Sequence, residues 1–173
     1  MNLPSDTTVR LFLGLWPSHD VRLAIEAQAA AWQWPDAARR TRTERLHITL
    51  HFLGQRPTDE LPALRKALDV AWEGCELLLD RAGVWPGGIA VLEASAVPPA
   101  LARLHAALRE RLATLGGPVE ARPWRPPGAL ARQAADDPAA RERLLAVEQV
   151  ADRPIAMREV MAGACRAELE RRA

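Results

Sequence analysis

The order strand, helix, strand occurs twice in this 173-residue chain, and that repeat limits its possible folds more than any other feature. In the first copy, Val9, Leu11, Leu13 and Leu15 alternate with Arg10, Phe12 and Gly14, the period-two pattern of a half-buried strand. Pro17 and Ser18 open a helical stretch carrying Val21, Ile25, Ala29 and Trp32 on one stripe, closed by Pro35. Leu46 to Leu53 alternates again, with Leu46, Ile48, Leu50 and Phe52 on one face and His47, Thr49 and His51 on the other. In the second copy, Ile89 to Leu92 reads as a strand and Pro99 to Leu115 as a leucine-rich helix stopped by Gly116-Gly117. Glu120 to Arg132 then stands where a strand is expected, interrupted by Pro126, Pro127 and Gly128. Val9 to His47 and Ile89 to Pro127 both span 38 residues, so the halves register at an offset of 80. Side chains differ across that offset, and element order alone carries the repeat. It predicts two lobes about a pseudo-two-fold axis with a cleft between them.

Between and beyond the repeats, Thr58 to Trp72 reads as a helix with Thr58 as N-cap, Leu77 to Leu79 as a short strand and Val84 to Gly88 as a turn. Asp136-Asp137-Pro138 caps a helix expected to run to about Val150. Met157, Val160, Met161, Ala164, Cys165 and Leu169 then fall at helical spacing, a stripe that serves core packing. No linker divides the chain. The expected class is α+β, with residues 1–173 as a single bilobal domain. Lobe one takes mainly residues 9–75 with parts of the C-terminal region, and lobe two mainly 76–150.

Charge narrows the function classes. A formal net charge of +1 creates no global field for coating a long polyanion, while a small phosphate ligand remains compatible. Cys75 and Cys165 are far apart with no metal-ligand spacing, as in a reduced cytosolic protein. The first residues have no signal-peptide pattern, and no apolar run approaches the roughly 20 residues that span a bilayer. A cytoplasmic monomer without membrane attachment is expected.

Chemistry concentrates in His47-Ile48-Thr49-Leu50. Period two sets the imidazole and the hydroxyl on one strand face, roughly 7 Å apart along the backbone. An imidazole exchanges a proton near neutral pH and a hydroxyl donates to a phosphoryl oxygen, so the pair makes half of a phosphate-handling site. By itself the tetrapeptide fits a solvated strand face equally well. By the same alternation His51 shares the face of His47 and Thr49. Phe12 turns from the Leu11/Leu13 core toward the cleft, where it could stack a nucleobase or pack under a loop. His19 and His105 read as surface or packing residues.

LHITLHFLG, about 35 residues after VRLFLGLWP, closely resembles the first half of the 2H phosphoesterases, whose bacterial members were first described as 2′-5′ RNA ligases. Gly83-Val84-Trp85-Pro86, the Pro98-Pro99-Ala100-Leu101 helix start, the leucine-rich helix ending in Gly-Gly, and Glu120 to Pro126 followed by Leu130-Ala131-Arg132 extend the likeness over roughly residues 9 to 150. The resemblance implies two antiparallel sheets lining a central cleft with helices outside, and one His-x-Thr/Ser motif per lobe. It implies that His47 protonates a leaving 3′-oxygen, that Thr49 holds the phosphate, and that a 2′,3′-cyclic phosphate opens to a 2′-phosphate without metal or organic cofactor. RNA ends or cyclic nucleotides are the implied ligands.

The second motif departs from the family. Pro127-Gly128-Ala129 stands where the family has His-x-Thr, removing both functional groups and arguing against a centrally paired strand. Losing a positioned acid or base costs about 10²- to 10⁴-fold. His51 is a possible auxiliary base. Arg125 shares the parity of the missing histidine and could clamp a phosphate, but it cannot accept a proton. Arg132, of opposite parity, reaches the cleft only at a bulge or strand end. Two functions remain open: a cyclic phosphodiesterase of weakened or lost activity, and a non-catalytic nucleotide- or RNA-end-binding pseudoenzyme on the same fold. The family's C-terminal strands are also expected to be replaced here, by the helical Met157 to Arg172 run.

Overall fold

The computed structural model of the protein describes residues 8–32, 34–117 and 124, and the strands 127–132, 155–160 and 167–170. The chain is a mixed α and antiparallel-β protein. In order, the elements are β1 (Thr8–Leu15), α1 (His19–Ala30), β2 (Arg39–Arg40), β3 (Ile48–Pro57), α2 (Leu61–Ala67), β4 (Cys75–Leu79), β5 (Arg81–Trp85), β6 (Ile89–Glu93), α3 (Pro99–Thr114), β7 (Pro127–Arg132), β8 (Ile155–Val160) and β9 (Ala167–Glu170).

The alternation in β1 works as read. Val9, Leu11, Leu13 and Leu15 are buried, while Thr8 and Arg10 are exposed. In α1, the Ser18 hydroxyl accepts from the Val21 N–H at 3.4 Å, capping the first turn. Ile25 and Ala29 face the core, and the Trp34 indole donates to the Ala29 carbonyl at 2.7 Å, sharing it with the Trp32 N–H at the helix end. Four leucines of α3, Leu101, Leu104, Leu108 and Leu112, are each essentially inaccessible, and each burial contributes on the order of 2 kcal/mol. Gly116, at φ +66°, turns the chain so that the Gly117 N–H reaches the Leu112 carbonyl at 2.8 Å.

Sheet order is β5-β6-β7-β3-β1-β9, with β2 also paired to β7; β4 and β8 form a separate antiparallel pair. The two antiparallel halves, β9-β1-β3 and β7-β6-β5, therefore meet at the β3–β7 boundary through the pair Ile48↔Gly128. These two residues differ by the offset of 80 found in the sequence repeat. An antiparallel pair has a local two-fold axis, so a residue paired with its own repeat equivalent marks where the axis relating the halves crosses the sheet.

Four expectations change. The Pro127-Gly128-Ala129 segment pairs centrally, forming the start of β7 between β6 and β3. Pro127 is the strand's first residue, opposite Glu93, a position that tolerates the missing N–H. The Met157 to Arg172 run is not helical where it is described. Met157 pairs with Leu77 of β4, and Leu169 with Leu11 of β1. Short apolar runs fit either period, and here the open edges of β4 and β1 decide it. The helix expected from Thr58 is shorter, a 3₁₀ turn at Thr58–Glu60 followed by α2, and β5 extends through Val84 to Trp85, leaving only Pro86 to Gly88 for the turn. The expected helix from Asp136 to Val150 lies outside the described residues, as does Cys165; burial pushes the Cys75 thiol upward in pKa.

Candidate active site

Two β-bulges in β3 decide which of its side chains share a face. Phe12 pairs with Phe52 and Leu11 with Gly54, so Leu53 is extra; Leu13 pairs with His51 and Gly14 with Thr49, so Leu50 is extra. Each extra residue is buried and shifts the alternation by one. His51 is therefore turned into the core, 5% exposed, while Phe52 comes out at 51%. The expectation that His51 lies beside His47 and Thr49 fails for this reason. His51 Nε2 instead meets the His105 carbonyl at 3.0 Å.

His47 sits immediately before β3, between Leu46 and Ile48, which are both buried and fix the backbone on either side. The 3₁₀ turn at Thr43–Arg45 brings the Arg45 carbonyl round to His47 Nδ1 at 2.7 Å. A carbonyl only accepts, so Nδ1 carries the hydrogen and Nε2 is the nitrogen left for exchange with a ligand. Phe12 stacks on the His47 ring at 4.5 Å between centroids, and Trp16 at 5.7 Å. Phe52 adds a further ring 6.5 Å from Phe12. Gly14 makes this assembly possible. A Cβ there would stand 3.0 Å from the Ile48 carbonyl oxygen, 3.2 Å from the Phe12 ring and 3.4 Å from Trp16.

Thr49 is half-buried, two residues along from His47, with its backbone carbonyl accepting from the Trp124 indole N–H at 3.1 Å. Behind it, His51, His105 and Trp124 form a continuous stack with centroid separations of 4.1 and 4.2 Å. His105 is pushed down to about 4, chiefly by burial and then by the neighbouring His51, against a hydrogen bond to the Leu50 backbone. Near neutral pH the stack therefore contains a neutral His105.

The antiparallel pair Ile48↔Gly128 puts backbone positions 127 and 129 next to 49 and 47. The two motif segments are thus side by side at the centre of the sheet, one with its chemical groups and one without. Arg132 ends β7, where it pairs with Arg39 of β2; Arg125 lies outside the described residues. Among the described residues no three His, Cys, Asp or Glu side chains gather as a metal-binding group, and no helix is long and apolar enough to cross a membrane. Sequence reasoning did not assign Trp16, Phe52 or Trp124 to the site. Trp16 was within reach, since it continues the Phe12, Gly14 parity; Phe52 required the bulges, which leave no mark in the residue pattern.

The profile of the 2′-5′ RNA ligase superfamily matches residues 21–158. Among solved structures, E. coli LigT complexed with 3′-AMP is 30% identical, with a TM-score of 0.69 over 75% of this chain and 76% of that one. TT0787 of Thermus thermophilus is 31% identical, with a TM-score of 0.60 over 75% and 76%. The MHV ns2 PDE domain, 16% identical with a TM-score of 0.58 over 93% and 97%, shares the fold. No curated protein matches. Profile, fold and the His47-Ile48-Thr49 sequence at the start of β3 agree, and the chain belongs to the 2′-5′ RNA ligase superfamily of 2H phosphoesterases.

Proposed function

We propose that the protein is a phosphodiesterase of the 2H type acting on 2′,3′-cyclic phosphate ends, slowed by loss of its second motif. The observation that carries this reading is the Arg45 carbonyl on His47 Nδ1, which leaves Nε2 as the exchangeable nitrogen just ahead of the strand that bears Thr49. Protonated at Nε2, His47 gives its proton to the 3′-oxygen as the P–O3′ bond breaks, and Thr49 donates to a phosphoryl oxygen. Water adds to phosphorus, leaving a 2′-phosphate. In a complete 2H site a second histidine takes the water's proton. Here Pro127 stands in its place, so that proton passes to solvent, at a cost of about 10²- to 10⁴-fold in rate. Phe12, Trp16 and Phe52 provide a cluster of mutually tilted aromatic rings, any of which can stack a nucleobase, and the two halves of the sheet act as lobes flanking the cleft. That LigT is known in complexes with 3′-AMP and with ATP supports a nucleotide ligand.

The test is hydrolysis of 2′,3′-cyclic AMP by the wild type and by His47→Ala, with product identity read by phosphorus NMR. A slow wild-type conversion to 2′-AMP that falls at least about a hundredfold in the variant is expected; turnover unchanged in the variant contradicts the assignment. A second reading, binding without catalysis, is favoured by one observation, the loss of both second-motif groups beside a retained aromatic surface. It predicts 3′-AMP binding with no turnover.

A further inference from the structure

Next to the His47 face lies a second concavity. It is a cavity of about 250 Å³ with an apolar floor of Ile25, Ala29 and Leu46, a little below the size range of drug-sized ligand sites and so suited to part of a larger ligand. Arg40 and Arg42 stand on its rim, and Thr41 and Thr43 between them add hydroxyl donors. Glu26 is the only acidic residue of the lining. Beside the cavity, the Arg40 guanidinium lies 5.9 Å over the ring of Trp34, a residue that does not itself line it.

This cavity and the catalytic face are two sides of one segment. Leu46 forms part of the cavity floor, while the next residue, His47, stacks with Phe12 and hydrogen-bonds back to the Arg45 carbonyl. The chain from Arg42 to His47 spans at most roughly 18 Å. Residues 39–45 read Arg-Arg-Thr-Arg-Thr-Glu-Arg, and all four arginines are exposed. In a protein whose net charge is only +1, this is a local concentration of cations leading up to the catalytic histidine.

We infer that the Arg40–Thr43 cavity is a subsite for the single-stranded RNA preceding the terminal cyclic phosphate. The inference rests on the phosphodiesterase reading of the His47 site and names its substrate class: an oligonucleotide, in preference to a mononucleotide. Arg40 and Arg42 contact backbone phosphates, the apolar floor receives part of a nucleoside, and the strand then passes Arg45 to reach His47. An acidic peptide fits less well, because the arginines and threonine hydroxyls stand over an apolar floor, so that phosphate donors and an apolar surface for a nucleoside lie together.

The experiment compares binding of 3′-AMP and of a fluorescein-labelled hexaadenylate ending in a 3′-phosphate. Wild type, Arg40→Gln/Arg42→Gln and His47→Ala are each measured at several salt concentrations. The hexamer should bind wild type at least about tenfold more tightly than 3′-AMP. The double variant should lose that advantage while holding 3′-AMP as before, and its log–log salt slope should flatten by about 1.4, two phosphate contacts at about 0.7 each. Arg42→Gln alone, which leaves the Arg40–Trp34 contact in place, should lose about half of the slope change. Equal binding of the two ligands by wild type, an advantage that survives in the double variant, or displacement of the hexamer by equimolar hexaglutamate overturns the subsite. Failure of the catalytic reading looks different: His47→Ala would leave 3′-AMP affinity and turnover unchanged while the arginine-dependent hexamer advantage persists.

Discussion

The segments at 47–49 and 127–129 occupy equivalent places about the Ile48↔Gly128 pair, yet only the first offers an imidazole and a hydroxyl. Around the first, every neighbour is engaged. Phe12 and Trp16 stack on His47, Arg45 fixes its Nδ1, Trp124 holds the Thr49 carbonyl, and Gly14 clears the space for the rings. At the second, the backbone pairs with β6 and β3 while positions 127 and 129 are proline and alanine. The strand and the catalytic groups are separable because they answer to different forces. Ladder hydrogen bonds run through the backbone whatever the side chains at 127 and 129 are, whereas proton transfer and phosphate binding need particular side chains.

The sharpest way to break the intact half is to fill its one cleared position. Gly14→Val should cost about 1–3 kcal/mol, because its Cβ meets the Ile48 carbonyl and two rings, and it should also push Phe12 off His47. Chemical denaturation reads the first effect and tryptophan fluorescence, through Trp16, the second.

A smaller effect is expected from the stack behind Thr49. His105 takes a proton in the unfolded chain below about 6.5 but in the folded protein only near 4. Between those values the unfolded state binds more protons, so the contribution of the half-buried neutral ring is complete above about 6.5 and is lost as pH falls toward 4. The melting temperature should drop over that window, and His105→Phe, which keeps a stacked ring without the proton site, should lessen the drop. A melting temperature equally pH-dependent in the variant removes this role for His105.

The gentlest change tests positioning alone. Trp124→Phe retains a ring against His105 but removes the donor to the Thr49 carbonyl, and should cost about 1 kcal/mol of stability. A variant as stable as wild type would show that the indole hydrogen bond contributes nothing.

What the sequence made legible follows from how local each feature is. Ile48 and Gly128 differ by the repeat offset of 80, although proline and glycine there argued against central pairing, whereas the β1 alternation and the α3 leucine stripe need only neighbours along the chain and read correctly. The face of His51 did not, since it depends on the extra residues Leu50 and Leu53, whose bulges arise from pairing with β1. The C-terminal strands were hidden for a related reason. Met157 and Leu169 fit a helical stripe in isolation and become strand residues only against β4 and β1.

One measurement tests the central claim most directly: rebuilding the missing half with Pro127→His and Ala129→Thr, alone and together with His47→Ala, and following hydrolysis of a cyclic-ended oligoribonucleotide. If the strand is sound and only its chemistry is lost, the double substitution should raise kcat/KM by about 10²-fold or more, and His47→Ala should abolish the gain. No increase in a rebuilt protein that still folds, or an increase that persists without His47, would contradict the account.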